Sequence, residues 1–417
     1  MSGAAPPDPA RPASADPEGG ASPPDPARPA SADPAGGPPP PAPARPASAE
    51  AEGGPPPPDR FGESEPFTVG LEEELLLVDA DTLQLAHVAD KVLAQSTLPR
   101  NRLDHEAFLA EVENRSEPAG SVAEAVGQLA AGRGEARRAG GAAATTILGA
   151  GLHPDAELFD VELVQSERYE RVEAQMQGLI KRTPECALHV HVGVADPEAA
   201  IAAMNGLREW LPLLHGLGAN SPFWFGVDSG MASSRAAVIR AYPGRGIPPV
   251  LRGWDEYLAA LDAVRAGGGP MDHTMVWWDA RPQPRLGTVE LRELDVQTDL
   301  ESTAALAALA RAVVRRAVES SLSEPAPEQA LHWSSFRAAR DGLDAEIYHE
   351  GSPRPLREVA EHVVARLAED ADPELDGIRR IVREGNGADR QRAAHERGGM
   401  PGLLRYLVEG SAPLRVG

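Results

Sequence analysis

Residues 67–79, FTVGLEEELLLVD, constrain the fold more than any other stretch, because they read as a strand with two carboxylates on one face. Successive side chains of an extended chain point to opposite sides, so Glu72 and Glu74 share one face while Phe67, Val69, Leu71, Leu75 and Leu77 share the other. Glu73 interrupts the apolar face. The same i, i+2 device recurs at Glu111 and Glu113 in LAEVEN, His189 and His191 in CALHVHVGV, and Glu290 and Arg292 in TVELRELDV. Apolar residues fill most alternate positions: Phe108, Ala110 and Val112; Leu188, Val190 and Val192; Val289 and Leu291. Four strands that offer carboxylate, imidazole and guanidinium groups to one surface describe the wall of a polar cleft backed by a hydrophobic layer.

The first 60 residues stand apart from that core. They hold 20 of the 41 prolines and no large apolar residue beyond Met1, and PPDPARPASADPEGG at 6–20 returns at 23–37 and, degraded, at 40–54. A repeat this rich in Pro, Ala and Gly has nothing to bury against the entropy of ordering, so residues 1–60 are expected to be a disordered tail and residues 61–417 a single catalytic domain. There is no basic start followed by an apolar run, and no stretch nears the roughly 18 apolar residues of a membrane span. The net charge of −23 argues against a nucleic-acid surface. No GxxxxGK phosphate loop is present. The single cysteine, Cys186, permits no internal disulfide and fits a reducing, cytoplasmic setting.

Along the folded part, strands are expected at 60–79, 108–114 and 142–149, and helices at 87–94 and from a Ser121/Glu124 cap toward Ala139. Helical patterns follow at 168–178 and from the Asp196–Pro197 start through Glu209. Further helices are expected at 302–322, 356–369 and 374–383, with irregular segments at 218–243 and 385–393. The half-polar strands argue against a doubly wound parallel sheet, whose strands are buried on both faces. An α+β fold, with a mainly antiparallel sheet curled around a polar cleft and helices outside, fits better.

The blocks GLEEELLLVD, CALHVHVGV, ANSPFWFGVDSGMASSR, MVWWDARPQPRLGTVELRELDVQT and GNGADRQR, in this order, resemble the glutamate–cysteine ligase type 2, or carboxylate-amine ligase, family over roughly residues 65–410. The resemblance implies an ATP-dependent ligase that joins the γ-carboxylate of glutamate to the amine of cysteine. It also implies a fold related to glutamine synthetase, an antiparallel sheet forming a funnel with Mg²⁺ at its centre. Carried over by motif, Glu72, Glu74, Glu113 and Glu290 are metal carboxylates; His189, Arg235 and Arg292 are catalytic; and His191, Arg281 and Arg285 face the nucleotide. The family usually has Gln where Glu111 stands and Tyr where Ser234 stands. The expected partners are small molecules, with neither nucleic acid nor membrane, and a homodimer is allowed.

The chemistry makes independent sense of these residue types. A carboxylate needs a leaving group before an amine can displace it, and transfer of the ATP γ-phosphoryl group supplies one through positioning and charge neutralisation. Mg²⁺ prefers carboxylate oxygen, and an arginine fork suits phosphoryl oxygens. Other readings remain open. Each pair taken singly fits a solvated strand face, a ligase of the same type could take a different amine, His189 and His191 with a carboxylate fit a zinc hydrolase, and a non-catalytic binding protein could keep the same scaffold. Cys186 lies on the apolar face and fits packing.

Overall fold

The computed structural model describes residues 59–270, 273–319, 325–369 and 371–413. The tail expected at 1–60 lies almost wholly outside the described residues, as does the end of the helix expected at 302–322. The strands are β1 (Val69–Asp79), β2 (Leu103–Asp104), β3 (Glu111–Arg115), β4 (Thr145–Leu148), β5 (Ala187–Gly193), β6 (Phe223–Trp224), β7 (Val227–Asp228), β8 (Ala280–Gln283), β9 (Thr288–Asp295), β10 (Glu346–His349) and β11 (Ser352–Pro355). The α-helices are α1 (Ala89–Gln95), α2 (Val122–Gly141), α3 (Glu167–Met176), α4 (Pro197–Leu207), α5 (Leu211–Gly218), α6 (Ser234–Ile239), α7 (Trp254–Ala266), α8 (Leu300–Glu319), α9 (Glu328–Asp341), α10 (Leu356–Leu367), α11 (Gly377–Glu384) and α12 (Gly387–Gly410).

Seven strands form one sheet in the order β2-β3-β1-β5-β9-β8, with β4 paired to the far half of β1. Every pairing is antiparallel. Pleating puts residues directly opposite each other on the same face, so the register decides which polar groups meet. Glu72 opposes His189, Glu74 opposes Glu113, His191 opposes Glu290, and Arg281 opposes Glu290 from the other side. The other face carries Val69, Leu71, Leu188, Val190, Val192, Val289 and Leu291, which pack into one core with residues of α2, α4, α5 and α8. The alternation in the sequence is therefore a division between a polar surface and a helix-covered core.

Glu73 is the exception on the apolar side, and α2 resolves it. Arg133 donates from Nε and Nη2 to the Glu73 carboxylate at 2.9 and 2.7 Å, and Asn114 Nδ2 donates to it at 2.8 Å. Neither charged side chain reaches solvent. Gly132 makes the arrangement fit, since a Cβ there would stand 1.7 Å from Asn114 Oδ1. Ser121 caps α2 and Asp196 caps α4, as their sequences predict.

Two expectations need correction. β1 begins at Val69, not at residue 60, and the stretch at 385–393 is mostly not a loop. Asn386 and Asp389 form a reciprocal capping box that starts α12, which the glycines at 385 and 387 obscure in the sequence. Gln391 then donates to Asn220 Oδ1 at 2.9 Å, and Arg392 pairs with Asp228 at 2.8 Å. Two of the blocks that define the resemblance thus pack against each other. The stretch at 218–243 is largely irregular but contains the β6–β7 hairpin and α6.

Candidate active site

The polar face of the sheet brings Glu72, His191 and Glu290 together. One donor atom from each lies within 4.8 Å of the others, a spacing that suits a shared cation. Two carboxylates and an imidazole are a ligand set for a divalent metal. His191 Nδ1 lies 3.0 Å from Thr288 Oγ1, which leaves the buried Nε2 with no hydrogen-bond partner among the described residues. That orphaned nitrogen faces Glu72 Oε1 at 3.6 Å. The residues present therefore fit a cation.

Charge compensation differs from one carboxylate to the next. Burial alone would raise Glu290, but Arg281 and Arg292 outweigh it and hold its carboxyl well below the usual range. Arg281 Nε sits 2.8 Å from Glu290 Oε2, while Arg292 Nη1 grips Oε1. Burial would likewise raise Glu72, yet His191 and His189 leave it well below the ordinary value. His189 lies with Nδ1 3.3 Å from Glu72, and burial together with Arg292 brings its pKa down to about 4. It is a neutral imidazole at pH 7.

The other expected residues make further contacts of their own, and Glu74 Oε1 stays 3.9 Å from His189 Nε2. Glu74 and Glu113 are not in the Glu72–His191–Glu290 donor set. Two residues along a strand is about 6.5 Å, so Glu74 is displaced from Glu72 by that rise. It accepts the Ala187 backbone N–H, and burial, Glu106 and Glu185 push it up to about 8. Glu113 pairs with Arg115 Nε at 2.9 Å and is raised by burial and by Glu72. Arg281, expected to face a nucleotide, is spent on Glu290 and on the Val276 carbonyl at 3.2 Å, because the β8–β9 register sets it directly opposite Glu290. Arg285 lies in the turn that joins those strands. Arg235 is buried against Glu185 at 2.6 Å and the carbonyls of Glu293 and Leu294, which ties it to the scaffold around Asp295. His191, expected at the nucleotide, belongs to the metal-type donor set. His189 is not in that set, although its Nδ1 lies 3.3 Å from Glu72 and 4.0 Å from Glu290.

Glu106, Arg115 and Glu185 also border this site, outside the residues that the sequence motifs name. Arg115 continues the Glu111–Glu113 alternation by one step, and Glu185 precedes His189 by two, so the period-2 signal reached both. Glu106 precedes β3 and had no such signal. Glu111, also on the polar side, is buried beside Cys186 Sγ at 3.5 Å, and burial and Glu74 raise it well above the ordinary value.

The model of glutamate–cysteine ligase family 2 matches residues 68–409. The chain belongs to that family. A protein of Rubrobacter xylanophilus with the provisional name glutamate–cysteine ligase 2-3 is 38% identical over 363 residues, covering 85% of this chain and 99% of its own. A provisionally named glutamate–cysteine ligase 2 of Paracoccus denitrificans is 33% identical over 79% of this chain and 91% of its own. Among solved structures, glutamate–cysteine ligase of Francisella tularensis in complex with AMP superposes with a TM-score of 0.60 at 14% identity, covering 86% of this chain and 90% of that one. At that identity the match shows the α+β fold alone. The chain of this family is an enzyme, an ATP-dependent ligase that forms carbon–nitrogen bonds. No helix among the described residues is long and apolar enough to cross a membrane.

Proposed function

We propose that this ligase joins the γ-carboxylate of L-glutamate to the amine of L-cysteine through an acyl phosphate, releasing ADP and phosphate. The observation that carries the reading is the Glu72–His191–Glu290 cluster with Arg292 locked beside it. Those three residues would hold Mg²⁺, which when bound neutralises phosphate oxygens and orients them for in-line transfer. The His191 donor also suits Mn²⁺.

The chain's own residues supply the rest. Arg292 presents a planar fork to the phosphoryl group as it passes from ATP to the substrate carboxylate, while its bond to Glu290 fixes the fork's direction. Neutral His189 orients Glu72 without adding positive charge. Transfer breaks the bond between the γ-phosphorus and the bridging oxygen of ADP and forms one to a carboxylate oxygen. The amine then attacks the acyl carbon and phosphate leaves with that oxygen.

The test is ATP turnover by the full chain with Mg²⁺, L-glutamate and a panel of amines. Coupled ADP release with glutamate and cysteine supports the proposal in full. Turnover with glutamate and another amine corrects only the acceptor, and no amine-dependent turnover with any acid would overturn it. Stoichiometric zinc in the purified protein, with hydrolysis that needs neither ATP nor Mg²⁺, would favour the hydrolase reading.

A further inference from the structure

The pairing of β5 with β9 contains a one-residue slip: Val190 opposes Leu291, but Leu188 opposes Leu294. Arg292 and Glu293 therefore stand together opposite His189, a β-bulge at the residue assigned to the phosphoryl group. Bulges recur beside active sites because they re-aim a side chain at the expense of a regular ladder. On its other edge, the Arg292 N–H still donates to the Asp279 carbonyl at 2.8 Å. The reciprocal bond is missing, because the Asp279 N–H turns away to the Gly246 carbonyl, also at 2.8 Å. The Arg292 carbonyl accepts instead from Arg245 Nη2 at 2.9 Å. Arg245 is itself buried, with Nε 3.3 Å from the buried Asp279 carboxylate. Gly246, at φ +131, takes a backbone conformation that few other residues adopt, and so lets residues 245–246 dock there.

We propose that Arg245 is a positioning residue for phosphoryl transfer: its guanidinium replaces the ladder N–H that Asp279 turns away from Arg292, and the Asp279 carboxylate holds it in place. The role rests on the reading of Arg292 given above. A guanidinium can span the Asp279 carboxylate and the Arg292 carbonyl at once, with donors on a rigid plane. A lysine ammonium is a single point and cannot hold both at these distances. Without the clamp the Arg292 peptide is free to tilt, and the fork beyond it loses direction, while nothing that binds substrate is removed.

The experiment is a double-mutant cycle in the full chain, assayed by ADP release with Mg²⁺, ATP, L-glutamate and L-cysteine, or whichever amine turns over. Arg245→Lys and Arg245→Met should each lower kcat about tenfold or more, with KM for ATP changed less than about threefold. Combining Arg245→Met with Arg292→Lys should cost little beyond Arg292→Lys alone, within about threefold, because both act through one group. Asp279→Asn should reproduce the kcat loss more mildly. A wild-type kcat in Arg245→Lys, or full multiplicative losses in the double variant, would overturn the proposal. Failure of all the Arg245 and Asp279 variants to fold would make the clamp a stability element only and overturn it too. A wild-type kcat in Arg292→Lys would instead sink the reading of Arg292 on which the proposal stands.

Discussion

His191 Nε2 and Glu72 Oε1 stand 3.6 Å apart, beyond hydrogen-bond reach, and both residues belong to one donor set with Glu290. A cation with ligand distances of about 2.1 Å bridges such a gap without moving either strand. Glu72→Gln and Glu290→Gln should therefore fold yet lose turnover, since the swap keeps size and removes a ligand charge. Mg²⁺ and nucleotide added together should raise the melting temperature of the wild type, with or without turnover, and raise that of these variants much less. Equal stabilisation of variant and wild type would remove the cation from this site.

Arg292 is bonded to Glu290 and opposite in sign to the cluster around it. Its planar fork acts where charge develops in transfer, so Arg292→Lys should lower kcat on the order of 10² with smaller changes in KM. Initial rates over a grid of ATP and acid concentrations separate the two. A rise in KM alone would make Arg292 a binding residue.

Arg133 and Glu73 form an ion pair sealed between sheet and helix. Removing one partner strands a buried charge, so Arg133→Met should cost about 3–5 kcal/mol in urea unfolding. Glu73→Gln keeps an acceptor for Arg133 and for Asn114 and should cost less. A loss under about 1 kcal/mol for Arg133→Met would mean that water reaches the site.

His215 links pH to stability. Burial, then Arg240, Arg235 and Arg245, lower its pKa to about 3, against roughly 6.5 for an unfolded imidazole. Below about pH 6.5 the unfolded chain takes up a proton that the folded chain refuses, so stability is fully present above that value and falls as pH drops toward 3. Glu293 lies 3.7 Å away, and burial and Asp279 raise its carboxyl well above the ordinary value. His215→Asn should flatten the decline between pH 7 and 5. Parallel decline in the variant and the wild type would assign the acid limb to other groups.

Much of this site was legible because a sheet with one polar and one buried face writes its register as period 2. Glu72, His191 and Glu290 all follow that period, although it does not tell a metal-type donor from a nucleotide contact, and even the bulge leaves a mark: the apolar positions Val289, Leu291, Leu294 and Val296 skip a step at Arg292. What period 2 does not encode is distance along the strand or charge pairing between strands. Glu74 and Glu113 therefore looked equivalent to Glu72, and Arg281 and Arg235 looked available although Glu290 and Glu185 occupy them. Residue Glu106 reaches the site from outside the strands, and Arg245 reaches it from the chain after α6. Their placement depends on tertiary packing, which no local pattern records.

The central claim is that a phosphoryl group passes to the substrate carboxylate beside Arg292, and oxygen tracing tests it most directly. With glutamate carrying ¹⁸O in its γ-carboxylate, each turnover should deliver one ¹⁸O atom to inorganic phosphate, read by ³¹P NMR, with ADP as the other product. Recovery of the label in AMP would show attack at the α-phosphorus instead, and unlabelled phosphate would show that the carboxylate is never phosphorylated; either result contradicts the account.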